Sequence, residues 1–225
     1  MYNYLPSIGA VFIGAILVFA FRSFNQKNLK LLLAFSGAFL LAITIFDLLP
    51  EVFENNTHAK RTGVWIMIGI LLQKILEYFS KGAEHGHIHL DKETHRIPKL
   101  LFISLGLHAL LEGFPIHHTD GILMGVIIHK IPVAMILTTF LLNTKLKRYI
   151  IIIALVFFAL MTPLGTFIAE NFAIAQNYYK EITALVIGIF LHVSTTILFE
   201  SSEGHKFNIT KLLIILIATG AAYLI

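Results

Sequence analysis

The chain has 225 residues, of which 57% are hydrophobic and 13% charged, with a formal net charge of +4. Soluble domains carry about 25% charged residues, and a packed soluble fold of this length cannot hide so much apolar surface. An ordinary soluble enzyme and a disordered chain are therefore excluded, and a polytopic membrane protein is expected. The absence of cysteine removes disulfides, iron–sulfur clusters and thiolate metal sites, while 11 histidines point toward metal.

A spanning helix needs about 20 mostly apolar residues. Eight segments fit: Leu5–Phe21, Lys30–Pro50, Gly63–Ser80, Pro98–His117, Gly121–Leu142, Tyr149–Glu170, Glu181–Glu200 and Ile209–Ile225. They are too long for barrel strands, which need about 10 alternating residues. The predicted fold is all-α, a bundle of eight transmembrane helices in a single domain spanning residues 1–225. No Lys or Arg precedes the first span, so it lacks the basic start of a signal peptide and reads as a retained helix.

Basic residues favour cytoplasmic loops. The odd-numbered connections carry twelve: Arg22, Lys27, Lys30, Lys81, Lys92, Arg96, Lys99, Lys145, Lys147, Arg148, Lys206 and Lys211. The even-numbered connections carry three, Lys60, Arg61 and Lys180. Both termini are thus predicted outside, in a multi-pass protein of the plasma membrane. The longest polar stretch, residues 81–99, becomes a cytoplasmic loop between spans three and four. Its His85, His87 and His89 alternate, which favours a weak, mobile metal-binding tract over a plain solvated loop.

Span two contains Ser36-Gly37-Ala38-Phe39-Leu40 and span seven Ile187-Gly188-Ile189-Phe190-Leu191. Each then runs to an acidic end, Asp47 and Glu51 in one, Glu200 and Glu203 in the other. The two spans enter the membrane from opposite sides, and inverted repeats of this kind mark transporters.

Polar groups inside the bilayer are costly and mark function. Span four holds His108 and Glu112, and span five holds His129 and Lys130. His108 and Glu112 are four apart and share a helix face. Spans four and five are joined by a short connection, so they run antiparallel. Counting back from it places His108 and His129 at one depth, about 13 Å below the surface. Two imidazoles and a carboxylate form a nitrogen–oxygen site for a divalent ion. Pro132 and Pro115 free the carbonyls of Ile128 and Leu111 in the same region. The competing reading makes His108, Glu112, His129 and Lys130 a hydrogen-bonded cluster that holds the helices together.

Other polar residues rank behind these. His192, in mid-span seven, is a candidate further ligand or gate, or a satisfied packing histidine. Asp47 and Glu51 form either a candidate entrance that draws cations into a vestibule or a plain interfacial, solvated pair. Lys74 and Glu77 are expected to snorkel at the inner end of span three. Gly165, beside Pro163, predicts close helix packing in span six.

These residues resemble the ZIP (Zrt/Irt-like) family of divalent-metal transporters over essentially the whole chain. The likeness lies in His108…Glu112-Gly113, in His129 with Pro132, in Asp47-Leu48-Leu49-Pro50-Glu51 and in Thr162-Pro163-Leu164-Gly165. It implies eight spans in an inverted-repeat 3+2+3 arrangement, a His-rich loop after span three, and zinc transport by alternating access. Many members hold two metals. Here Ala109, Val133 and Thr162 stand where the family often has further ligands, and Lys130 stands at the second-metal position as a fixed positive surrogate. The expectation is a one-metal site of His108, Glu112 and His129, with Zn²⁺ or another divalent cation as transported substrate rather than cofactor. The expected partners are that ion, the lipid bilayer and a second copy of the chain, with no nucleic acid. The alternatives are a transport-inactive, metal-binding sensor or scaffold, and an intramembrane zinc hydrolase. The hydrolase lacks both a His-Glu-x-x-His pattern and a spare carboxylate, so the chain is read as a non-enzyme.

Overall fold

A computed structural model of the chain describes residues 4–20, 26–54, 58–83, 98–117, 120–200 and 209–225. All regular structure among them is helical. The main helices are α1 (Tyr4–Ala20), α2 (Gln26–Ile43), α3 (Ala59–Ser80), α4 (Lys99–Glu112), α5 (Asp120–Leu142), α6 (Arg148–Asn171), α7 (Tyr179–Glu200) and α8 (Ile209–Tyr223). They follow the eight predicted spans in order. Six stretches are long and apolar enough to cross a membrane: Asn28–Phe53, Ala59–Ser80, Lys99–Ile116, Gly121–Leu142, Arg148–Asn171 and Tyr179–Phe199. The first and last expected spans are shorter apolar helices, of 17 and 15 residues.

Span two is not one uniform α-helix. After Ile43 the chain makes a π turn, Thr44–Leu48, and then a short helix, Leu49–Phe53. The Leu49 N–H reaches back five residues to the Thr44 carbonyl. Pro50 has no N–H to offer the carbonyl of Phe46, which weakens the α register here. The Thr44 hydroxyl also donates to the Leu40 carbonyl at 2.6 Å. Pro132, by contrast, lies inside the continuous helix α5. Gly113 ends α4, and Pro115 falls in the 3₁₀ turn Phe114–His117.

The helices pack in two groups. In one, α5 packs on α1, α1 on α6, and α6 on α4. In the other, α8 packs on α2, α2 on α7, and α7 on α3. Exchanging α1 with α6, α2 with α7, α3 with α8 and α4 with α5 maps each series of contacts onto itself. The likeness read between spans two and seven therefore has a counterpart in the packing. The seam between groups is made chiefly by α2 against α5 and α3 against α4.

Several polar contacts gather at one end of the bundle. Arg61 pairs with Glu181 at 3.3 Å, and the Tyr179 hydroxyl donates to Glu51 at 3.1 Å. The Tyr4 hydroxyl donates to Glu170, and the Phe46 and Tyr223 rings meet at 5.9 Å. Tyr4 and Tyr223 thus lie at the same end, the one that also holds the link between α2 and α3.

Among the described residues, pairs of glycines set two of the helix crossings. A Cβ on Gly69 would strike the Leu185 carbonyl, and one on Gly188 would strike the Ile66 carbonyl, so α3 and α7 touch backbone to backbone. Gly113 and Gly165 bring α4 and α6 together in the same way, against the carbonyls of Thr162 and Leu110. This is the close packing expected of Gly165.

Gly69→Ala is expected to lower stability by about 1–3 kcal/mol, because backbone has to move to admit the methyl. Gly9→Ala, where nothing lies within 4 Å, is the matched control. Thermal midpoints of the two variants in detergent check this, with a drop expected for Gly69→Ala alone.

Candidate metal centre

Four helices meet around Glu112. It ends α4 and is 2% exposed, as is His108 one turn earlier. His129 and Lys130, adjacent on α5, are each 1% exposed. Consecutive helical side chains point about 100° apart, so both can be buried only because α5 is enclosed by α1, α2 and α6. His129 faces His108, with ring centroids 6.3 Å apart and an edge-on angle of 74°. Lys130 turns the other way, toward Glu112 and Thr162, with its ammonium 4.5 Å from the centre of the Phe158 ring.

The Glu112 carboxylate is divided in its duties. Its Oε1 accepts from Lys130 Nζ and lies 2.6 Å from the Thr162 hydroxyl. That hydroxyl also lies 2.9 Å from the Ala109 carbonyl and accepts from Lys130. Its Oε2 faces His108, 3.7 Å from Nε2. The Gly113–Gly165 crossing makes this possible, since it brings Thr162 up against Ala109 and Glu112. Thr162 and Lys130, read from sequence as departures from a two-metal set, here form a clamp on one oxygen of the carboxylate, and Ala109, a third departure, meets the Thr162 hydroxyl through its carbonyl. Val133 is simply part of the apolar core with α1, α4 and α6.

The histidines carry unused nitrogen atoms. His108 Nδ1 is 3.0 Å from Gln73 Oε1 on α3, while His108 Nε2 and both nitrogens of His129 are buried without a hydrogen-bond partner. Each such group costs about 1–3 kcal/mol, so three of them on two facing rings call for an occupant. Two donors on one tetrahedral zinc stand roughly 3.3 Å apart, given bonds of about 2.0–2.1 Å. His108 Nε2 and Glu112 Oε2, at 3.7 Å, are close to that separation. Two imidazoles on one such ion hold their centroids roughly 5 Å apart by the same geometry. The His108 and His129 rings would have to close by about 1 Å to reach it. As they stand, no three His, Asp or Glu side chains among the described residues are arranged to hold a metal ion.

The other candidate residues lie apart from this centre. Asp47 sits in the π turn with Oδ2 against Gly121, at the start of α5. Glu51, one turn on, accepts from Tyr179. His192 does not reach His108 or His129. Its Nε2 is 2.7 Å from Glu77 Oε2, which also lies 3.2 Å from Lys74 Nζ. This corrects the expectation that Glu77 snorkels: its side chain is 14% exposed and turned inward to α7, while that of Lys74 is 61% exposed. Glu77 is four residues beyond Gln73 on the same face of α3. A polar track therefore leads from His108 through Gln73 to Glu77 and His192, away from the end that holds Asp47. Gln73 was missed in the sequence, although its only signal, an amide amid the apolar residues of span three, was there. The loop candidates His85, His87 and His89 lie outside the described residues.

No family model matches the chain. The zinc transporter ZIP1 of Danio rerio is 30% identical to it over 93 residues, which make up 38% of this chain and 30% of that protein. The chain thus spans under a third of the length of the curated relative that it matches.

Lys130→Met leaves the Glu112 carboxylate buried without its cation, and is expected to destabilise the protein by about 3–5 kcal/mol. Adding Glu112→Gln is expected to recover a large part of that loss. A double-mutant cycle of unfolding in detergent measures both, and additive effects would count against the pairing.

Proposed function

We propose that the chain carries a divalent metal ion, Zn²⁺ foremost, across the plasma membrane toward the cytoplasm, with His108, Glu112 and His129 as its ligands midway. One observation carries this reading. Three buried imidazole nitrogens have no partner, and one of them, His108 Nε2, stands 3.7 Å from the oxygen of Glu112 that the Lys130–Thr162 clamp leaves open. Nitrogen and carboxylate oxygen suit Zn²⁺, Fe²⁺ or Mn²⁺, and the lack of thiolate disfavours Cu(I). The likeness to a protein named as a zinc transporter supports the choice of ion.

In this reading α1 and α8 complete eight spans, and the end holding Tyr4 and Tyr223 faces outward, as the twelve basic residues of the opposite connections require. Asp47 and Glu51 collect cations at that end. Glu77 and His192 lie on the way inward, and the histidines of the 81–99 loop receive the ion beyond them. Lys130 takes the place of a second metal, so one ion is carried at a time.

Binding has to be weak enough to permit release. Before loading, the Glu112 and Lys130 charges cancel. A divalent ion then adds two positive charges that no further anion balances, which keeps its hold moderate.

Purified protein in sealed liposomes tests the proposal. Zn²⁺ uptake is expected to fall to the protein-free background in the His108→Ala, Glu112→Ala double variant, and unchanged uptake rejects the site. The engagement of both Glu112 and Lys130 in one ion pair favours a second reading, a metal-binding sensor or scaffold that does not transport. Stoichiometric Zn²⁺ binding by the wild type with no flux across the bilayer would decide for it.

A further inference from the structure

Gln73 lies in the middle of α3, fully buried, with its side-chain oxygen 3.0 Å from His108 Nδ1. An amide oxygen can only accept, so His108 donates from Nδ1 and leaves its Nε2 lone pair free. That lone pair faces Glu112 Oε2 and has no hydrogen-bond partner. The other tautomer would present an N–H where a ligand is needed. The Gln73 Nε2 is buried and unpartnered, so only the oxygen of this side chain is engaged here. An amide held that way for packing alone is worse than a methionine of the same length.

The position of Gln73 in the bundle matters as much as its chemistry. Glu112, His129, Lys130 and Thr162 all belong to the group formed by α1, α4, α5 and α6, and so does His108. Gln73 belongs to the other group, through the tight Gly69–Gly188 crossing of α3 on α7. Among the described residues, the side-chain hydrogen bonds of those five residues cross the seam only at Gln73.

We infer that Gln73 is a positioning residue, which sets the His108 tautomer from across the seam and ties loading of the site to the α3–α4 contact. A cation on Nε2 withdraws electron density from the ring and makes Nδ1–H a stronger donor. Loading therefore tightens the bond to Gln73, and loss of that bond weakens loading. The inference rests on the proposed role of His108 as a ligand.

Nitrogen-15 NMR of histidine side chains in the metal-free protein reads the tautomer directly, with His108→Ala identifying the resonance. Wild-type protein is expected to show the Nδ1–H form at His108. Gln73→Met is expected to lose it, and Gln73→Glu, which still accepts, to keep it. In liposomes, Gln73→Met is expected to raise the KM for Zn²⁺ by about 10-fold or more, with a smaller change in maximal rate. Gln73→Glu is expected to restore the KM. Gln73→Leu serves as the second apolar variant should the methionine form fail to fold. An Nε2–H form in the wild type overturns the inference, as does a folded Gln73→Met protein with unchanged KM. Those outcomes together with loss of uptake in His108→Ala defeat the Gln73 role alone. Full uptake in His108→Ala instead defeats the ligand reading on which it rests.

Discussion

An ionised carboxylate in the middle of an apolar bundle cannot stand alone, because its lost hydration has to be replaced by fixed partners. Glu112 sets that requirement, and much of the surrounding structure answers it. The ammonium of Lys130 arrives from α5 and the hydroxyl of Thr162 from α6. Thr162 comes within reach only because two glycines let α4 and α6 approach to backbone contact. Phe158 covers the ammonium on its other side. A backbone feature, a rotamer and an ion pair therefore depend on one charge.

The same constraint explains why the centre is asymmetric. One carboxylate oxygen is saturated by the clamp and the other is turned to imidazole. Had Thr162 been a second carboxylate, the single ammonium would have had two anions to balance. Had Lys130 been neutral, the clamp would have lacked its cation. The three side chains form a set in which no member is independent of the rest.

The sequence carried the order of the helices, because apolar runs of about 20 residues are unambiguous signals. It also paired His108 with His129, since equal counts from a short connection fix equal depth. The tie between Glu112 and Thr162 was not legible. Fifty residues separate them, and only the Gly113–Gly165 crossing joins them. Gln73 was passed over because a lone amide in a span has no periodic signature. Glu77 was misjudged because nearness to a helix end says nothing about which neighbour stands beside it, and here that neighbour is His192.

The π turn that follows α2 has a consequence of a different kind. Such a turn holds one residue more than regular α geometry needs. Winding the same five residues, Thr44–Leu48, as a plain α-helix would instead rotate everything after them by about 90°. Glu51 would then turn away from Tyr179, and the short helix Leu49–Phe53 would present a different side to α7. The protein thus stores the orientation of one acidic group in a local surplus of chain length, and neither composition nor hydropathy registers it.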